Sequence, residues 1–113
     1  MLLSGSKLAI NPVEQRRFQR VEVILHGRFM LPDHSEHECV TIDMSPGGAR
    51  LRTRAHGKVN DRVIAYLETV GRIEGQIARL TEDGFAMTIN ATLRRQDKLA
   101  AQLTWLANRH ELG

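Results

Sequence analysis

The stretch from residue 20 to residue 31, RVEVILHGRFML, alternates apolar and polar side chains. The apolar members fall on one face: Val21, Val23, Leu25, Phe29 and Leu31. The polar members fall on the other face: Glu22, His26 and Arg28. Alternation with a period of two residues is typical of a β-strand with one buried face. We therefore expect a half-buried strand here, in a protein built mainly from strands.

Beyond this strand, further segments of strand-like sequence alternate with turn sequences. Residues 32–35, PDHS, predict a turn, and residues 38–42 predict a partner strand with Val40 and Ile42 facing inward. Further strands are predicted at 49–54, 62–69, 72–80 and 84–91. Six short strands at this spacing predict a small six-stranded antiparallel β-barrel.

After the last strand, the period becomes that of a helix. A helix over 92–110 places Leu99, Leu103 and Leu106 in one apolar stripe. Trp105 lies off this stripe, and an exposed tryptophan is typical of a contact surface. Two interpretations stay open: the helix closes one end of the barrel, or it pairs the chain with a partner or a second copy. The expected organisation is a lead-in over 1–12, a barrel domain over 13–91 and a C-terminal helix over 92–113.

Composition narrows the class of protein. With 113 residues, 42% of them hydrophobic and 26% charged, the chain fits one globular domain. Its net charge of +3 is spread along the sequence, whereas binders of nucleic-acid polymers carry a basic face or run. Cys39 is the single cysteine, which excludes an intramolecular disulfide, and the first residues lack an apolar run of membrane-spanning length. We expect a cytoplasmic protein that binds neither a nucleic-acid polymer nor a membrane.

Two short segments carry the candidate chemistry. Arg16, Arg17 and Arg20 cluster before the first strand, while Asp43 and Ser45 belong to the segment DMSPGG after the second. An arginine presents a planar fork that fits phosphate oxygens or the O6/N7 edge of guanine. A carboxylate accepts from guanine N1 and N2, a hydroxyl can donate to phosphate, and glycine lets the backbone approach a flat ligand. Together the segments indicate a site for a guanine nucleotide.

These two segments resemble the paired signature of PilZ domains, a family that binds cyclic di-GMP. The R-x-x-x-R half is matched by Arg16 and Arg20, and the D/N-x-S-x-x-G half by Asp43, Ser45 and Gly48. The resemblance implies a bacterial β-barrel receptor whose ligand is cyclic di-GMP. It also implies that the protein is not an enzyme and needs no cofactor.

The resemblance, which covers about residues 14–91, further implies a ligand site. Its residues come from both segments: Arg16, Arg17, Arg20, Asp43, Ser45, Gly47 and Gly48, with Gln15 and Arg50 as additional candidates. A ligand held there would order the arginine segment across the turn at 43–48 and change the surface offered to a downstream protein partner. The chain could act as a monomer or a homodimer, and could take one ligand or two.

Two alternatives to this hypothesis stay open. One is a PilZ-like protein-interaction module with weak or no ligand binding, although the intact signature argues against it. The other is a small basic barrel that binds RNA or DNA through Arg50, Arg52 and Arg54. Such barrels commonly stack bases on an aromatic platform, whereas the aromatic residues of this chain are scattered.

Neither a metal site nor a catalytic centre is indicated. His34, His37 and Cys39 are close in sequence, but a structural zinc site normally needs four ligands with a second closely spaced pair. Cys39 is therefore interpreted as a small strand residue, and no bound metal is expected. No serine or cysteine stands in a nucleophile motif, and the sequence has no Walker loop.

Overall fold

The computed structural model describes residues 19–112, with side chains as far as Arg109. Within that range the elements follow in chain order: β1 (Val21–Glu22), β2 (His26–Met30), β3 (Glu36–Ser45), β4 (Gly48–Arg52), β5 (Arg62–Leu67), β6 (Gly71–Thr81), β7 (Gly84–Thr88) and α1 (Leu93–Leu112). Every pair of adjacent strands among them is antiparallel.

Six of these strands close into a ring. Neighbouring strands pair in the order β3, β2, β5, β6, β7 and β4, and β4 pairs back onto β3. The short β1 lies outside the ring and pairs with the last part of β3, placing Val21 opposite Met44 and Glu22 opposite Asp43. The predicted six-stranded antiparallel barrel with a C-terminal helix is therefore confirmed.

The first predicted strand is interrupted between β1 and β2. At the break, the buried Thr41 hydroxyl donates to the carbonyl of Val23 and accepts from the N–H of Leu25 at 2.8 Å. The backbone N–H of Thr41 donates to the Leu25 carbonyl at 2.9 Å. The Thr41 side chain thus satisfies backbone groups of Val23 and Leu25 that would otherwise lack a strand partner at the break. The alternation survives the interruption, since Leu25 and Phe29 are buried as predicted.

The inward face of β3 differs from the prediction. Val40 and Ile42 were expected inside but are only half-buried, whereas Cys39 and Thr41 are buried. The expectation followed hydrophobicity alone and was wrong for two reasons. The register pairs Val40 with the exposed His26, and the Thr41 hydroxyl can be buried because backbone groups satisfy it.

The barrel interior is filled mainly by aliphatic side chains around two aromatic rings. Phe29 and Phe85 meet edge to face, with ring centroids 5.2 Å apart. This is an arrangement that aromatic quadrupoles favour. Fully buried aliphatic residues from three other strands surround the rings: Leu51, Val63 and Ile77.

The helix α1 closes one end of the barrel. Leu99 and Leu103 are buried, and Leu106 is partly buried against the same core. Arg95 helps to fix the helix, because its Nη2 donates to two carbonyl oxygens at the β5–β6 turn, at 3.2 Å and 3.0 Å. The apolar stripe predicted from the sequence is therefore the face that packs on the barrel.

Trp105 lies on the outer side of α1. Its surface is 53% exposed, and the Arg109 guanidinium lies 5.1 Å from the ring centroid, within cation–π range. In the part of the chain that the structure describes, no helix combines the length and the apolar character needed to cross a bilayer.

Candidate functional site

A bulge in β3 decides which side chains reach the outer surface. Thr41 pairs in register with β4, but the next pair along is Asp43 with Arg50, so Ile42 is an extra residue. An extra residue exchanges the two faces of a strand. Thr41 faces the core before the bulge and Met44 faces it afterwards. The bulge thereby turns Asp43 outward, beside Arg50.

Asp43 lies between two guanidiniums. Its Oδ1 accepts a hydrogen bond from Arg20 Nη1 at 2.6 Å, and its Oδ2 lies 3.0 Å from Arg50 Nη2. The Asp43 side chain is 12% exposed, while those of Arg20 and Arg50 are 52% and 39% exposed. We call these three residues the Asp43 triad. Because one carboxylate faces two guanidiniums, the triad keeps a surplus of positive charge.

β3 does not end at Asp43 but continues to Ser45, and the turn comes after Ser45. The expectation that Asp43 falls at a strand end was therefore wrong. Ser45 is buried, and its Oγ accepts from the N–H of Gly47 at 3.2 Å. A hydroxyl that accepts one hydrogen bond still has its own proton to donate. Ser45 therefore shapes the turn and retains a donor.

Gly48 lies beneath Arg20, where two strands approach closely. A Cβ at this position would lie 2.9 Å from the carbonyl oxygen of Met87 and 3.7 Å from Arg20 Nη2. Glycine at 48 therefore permits the close pairing of β4 with β7. A side chain here would push on the strand or on the guanidinium above it.

The structure gathers the described members of the predicted site on one surface: Arg20, Asp43, Ser45, Gly47, Gly48 and Arg50. The remaining candidates, Gln15, Arg16 and Arg17, lie outside the described residues. Arg52 is not part of this group, because its Nε bonds to Asp83 Oδ2 at 3.2 Å.

Arg50 stands among the sequence-based candidates only as an additional contact, although the sequence contains a stronger signal for it. Loop length fixes the register of a hairpin. Because two residues separate Ser45 from Gly48, counting back along both strands sets Asp43 opposite Arg50. That count would have moved Arg50 into the main group of candidates.

His37 on β3 has partners other than a metal ion. His37 Nε2 lies 2.8 Å from the Ser35 hydroxyl, and its ring lies 5.3 Å from that of Phe29. Cys39 is buried, which raises the pKa of its thiol to about 11. Among residues 19–112, no group of histidine, cysteine and acidic side chains is arranged to hold a metal ion.

Comparison with protein families identifies the family of this barrel. The family model of the PilZ domain matches residues 14–105. The chain belongs to the PilZ domain family. The match extends into α1, beyond residue 91, where the resemblance in the sequence ends.

Solved PilZ structures share the fold at low sequence identity. The PilZ domain of CeSA from a cellulose-synthesizing bacterium has a TM-score of 0.60 and 18% identity, over 82% of this chain and 98% of that one. The PilZ domain of YcgR from Escherichia coli, solved with cyclic di-GMP, has a TM-score of 0.66 and 13% identity, over 85% and 94%. The Bacillus subtilis inhibitor of motility MotI/DgrA has a TM-score of 0.56 and 15% identity, over 85% of this chain and 51% of that one. A search of curated proteins gave no match.

In this PilZ domain, the Asp43 triad lies on the open outer surface of the barrel. A separate cleft lies toward the other end of β3. The cleft has a volume of about 1480 Å³, and its walls include charged and histidine side chains: His26, Arg28, His37, Arg52 and Asp83. None of the described signature residues lines it. The described signature residues and this cleft are therefore separate parts of the barrel surface.

Proposed function

We propose that this PilZ domain is a receptor for cyclic di-GMP that has no catalytic activity and signals to a protein partner. The observation that carries the proposal is the Asp43 triad, held on the outer face beside Gly48. Family membership supplies the ligand class, and the triad supplies groups that fit it.

Charge favours a dianionic ligand at this surface. Arg20 and Arg50 present two guanidiniums against the single carboxylate of Asp43. The Nε of Arg50 is buried and has no hydrogen-bond partner among the described residues. A guanidinium carries five N–H donors, so both arginines can contact the ligand while they retain Asp43. The surplus positive charge of the triad attracts the two phosphates of cyclic di-GMP, and in our proposal Arg16 and Arg17 supply the remaining positive charge.

Each signature residue then has a defined role. Asp43 accepts from the N1 and N2 donors of one guanine, and Arg20 binds a phosphate or the O6/N7 edge of the base. Ser45 donates its free proton to a phosphate oxygen, and Gly48 leaves space for the base above the backbone. The specificity for guanine over adenine rests on Asp43, because adenine has no N1 or N2 donor to offer it.

The switch predicted for the N-terminal arginines belongs to residues outside the described range. In our proposal, Arg16 and Arg17 share the phosphates and guanine edges with Arg20, so that ligand orders this segment across the turn. Fixing each residue costs about 1–2 kcal/mol, which several charge-assisted hydrogen bonds offset. Hydrogen exchange tests the switch, since amide exchange in residues 11–20 should slow with ligand while the strands from β5 to β7 change little. Equal protection with and without ligand would contradict it.

The described structure offers a route from the site to the partner surface. Arg20 directly precedes β1, which pairs with Asp43 and Met44, and α1 packs against both β1 and β3. A ligand that moves Arg20 therefore acts on a strand that touches the helix carrying Trp105. The exposure of Trp105 also favours the second candidate, an interaction module with weak or no ligand binding.

Calorimetric titration of the full chain distinguishes these candidates. We expect cyclic di-GMP to bind at micromolar concentration or tighter, about −8 kcal/mol. GTP, cyclic di-AMP and a short single-stranded oligonucleotide should bind much more weakly. Arg16→Ala and Arg20→Ala should each weaken binding ten- to hundredfold, because a bidentate contact to an anion is lost. Arg52→Ala is the matched control, since Arg52 lies on β4 but pairs with Asp83. If titration with cyclic di-GMP releases no heat and a competition assay detects no binding of it, the interaction module is the better description.

A further inference from the structure

A row of paired residues crosses the outer face of the barrel and extends beyond the Asp43 triad. Asp43 on β3 pairs with Arg50 on β4, Arg50 pairs with Ala86 on β7, and Ala86 pairs with Arg79 on β6. Directly paired residues on neighbouring strands point to the same face of a sheet. These four side chains therefore share one surface, with Asp43 at one end and Arg79 at the other.

Both ends of the row are placed by irregularities in the strands. The register of β6 against β7 shifts between Ile77, opposite Met87, and Arg79, opposite Ala86. Without that shift, Ala78 would occupy the outward position and Arg79 would point toward the core. The bulge at Ile42 does the same for Asp43. Bulges are common where a strand re-aims a side chain near a functional site.

Ala86 forms a small apolar floor between two arginines. It is 7% exposed, yet it does not belong to the apolar core cluster inside the barrel. The register places it on the outer face, between Arg50 on β4 and Arg79 on β6. Two strand spacings, about 10 Å, separate the backbones of these arginines, which leaves the width of a flat ring system between them.

Arg79 also differs from the other described strand arginines of this barrel, because it lacks a carboxylate partner among the described residues. The other five pair with carboxylates: Arg28, Arg50, Arg52, Arg62 and Arg72. Arg79 is exposed and forms no ion pair with the described residues. Its guanidinium can therefore bind an anion or a base edge without giving up an internal partner.

We propose that Arg79 is a further cyclic di-GMP-binding residue and that Ala86 is the floor for the guanine distant from Asp43. This inference rests on the proposed function. Asp43 would hold one guanine by its N1 and N2 donors, while the other guanine lies over Ala86. Arg79 then meets that base at its O6/N7 edge or stacks on its face, as a planar guanidinium can.

Calorimetric titration of the full chain with cyclic di-GMP tests this assignment. Arg79→Ala should weaken affinity about tenfold, which corresponds to about 1.4 kcal/mol, or halve the stoichiometry if a second ligand copy uses this surface. Ala86→Leu should weaken affinity to a similar degree without changing any charge, because the added side chain occupies the floor. Arg72→Ala is the charge-matched control, since Arg72 lies on the same strand and is exposed but pairs with Glu74. Thermal melts check that each variant folds. If Ala86→Leu does not fold, Arg79→Lys is measured in its place.

The outcomes separate this inference from the proposed function. If the wild type binds, Asp43→Ala loses binding and Arg79→Ala and Ala86→Leu bind as the wild type does, the role of Arg79 is overturned and the receptor stands. An equal loss in Arg79→Ala and Arg72→Ala also overturns it, because that result indicates general charge attraction. If the wild type does not bind at all, the proposed function fails, and this inference fails with it.

Discussion

Two carboxylates of this barrel each contact two arginines: Asp43 with Arg20 and Arg50, and Glu74 with Arg62 and Arg72. The chemical composition of the two groups is nearly the same. The surroundings of the two groups differ. Asp43 follows a bulge, lies beside a glycine turn and meets an arginine from outside the barrel ring, whereas Glu74 and its arginines belong to regular antiparallel ladders.

In our proposal only the Asp43 group binds a ligand, so the arrangement of paired charges alone does not define the site. In a regular ladder, every neighbouring backbone group is paired, and side chains at each position fill the outer face. The Glu74 group therefore acts as an ion-pair network on a strand surface, where such pairs contribute little to stability. At Asp43, the irregular backbone and Gly48 leave room for a ligand to approach the charges.

The largest expected effect separates the two groups directly. Asp43→Ala should weaken cyclic di-GMP binding ten- to hundredfold, because hydrogen bonds to a charged group contribute roughly 1.5–3 kcal/mol. Glu74→Ala should leave binding unchanged. The preference for cyclic di-GMP over cyclic di-AMP should also shrink in Asp43→Ala, as competition titrations would measure. Equal effects of the two substitutions, or tighter binding by Asp43→Ala, would remove the distinction.

The next effect concerns the backbone beside the site. Thr41→Val should lower the free energy of unfolding by about 1–3 kcal/mol, because the Val23 carbonyl and the Leu25 N–H lose their buried partner. Denaturant unfolding measures the change. Thr88→Val is the matched control, since the exposed Thr88 hydroxyl also bonds to a backbone N–H and carbonyl, those of Gln76. A cost no larger at Thr41 than at Thr88 would contradict a special role for this break.

Much of the fold follows from alternation in the sequence, and the details of the site follow from features that alternation cannot show. The period of two residues predicts six strands and the burial of Phe29. It fails at Val40, because a buried hydroxyl at Thr41 has backbone partners that no pattern of apolar residues reveals. The bulge at Ile42 is equally invisible, although the short turn that sets Arg50 opposite Asp43 could have been counted.

A smaller effect tests the space beside the Asp43 triad. Gly48→Ala should weaken cyclic di-GMP binding about tenfold, since its Cβ would lie 2.9 Å from the Met87 carbonyl and displace the strand beneath Arg20. Calorimetry gives the affinity, and a thermal melt gives the change in stability. Gly71→Ala is a useful control, because Gly71 has a positive φ of 87° but nothing near its Cβ position, so it strains the backbone away from the site. Wild-type affinity in Gly48→Ala would show that this space is not used.

The smallest effect concerns acid stability at Glu74. Hydrogen bonds from Arg62 and then Arg72 hold the pKa of Glu74 below its ordinary value of 4.5. A carboxyl whose pKa is lowered by folding stabilises the protein above the unfolded pKa and loses that contribution as pH falls through the folded pKa. Between about pH 5.5 and about pH 3, Glu74→Gln should therefore lose less stability than the wild type. Urea unfolding across this range measures it, and parallel curves would indicate that the ion pairs contribute nothing.

The position of Trp105 has a practical consequence. It is the single tryptophan of the chain, and it lies half-exposed on α1 under the guanidinium of Arg109. Excitation at the indole band therefore reports on one place only, the outer side of the helix that packs against β1 and β3. A shift of the emission maximum or a change in acrylamide quenching would reveal any rearrangement or docking at this helix. The protein thus carries an intrinsic fluorescent probe at the surface where we propose that a partner binds.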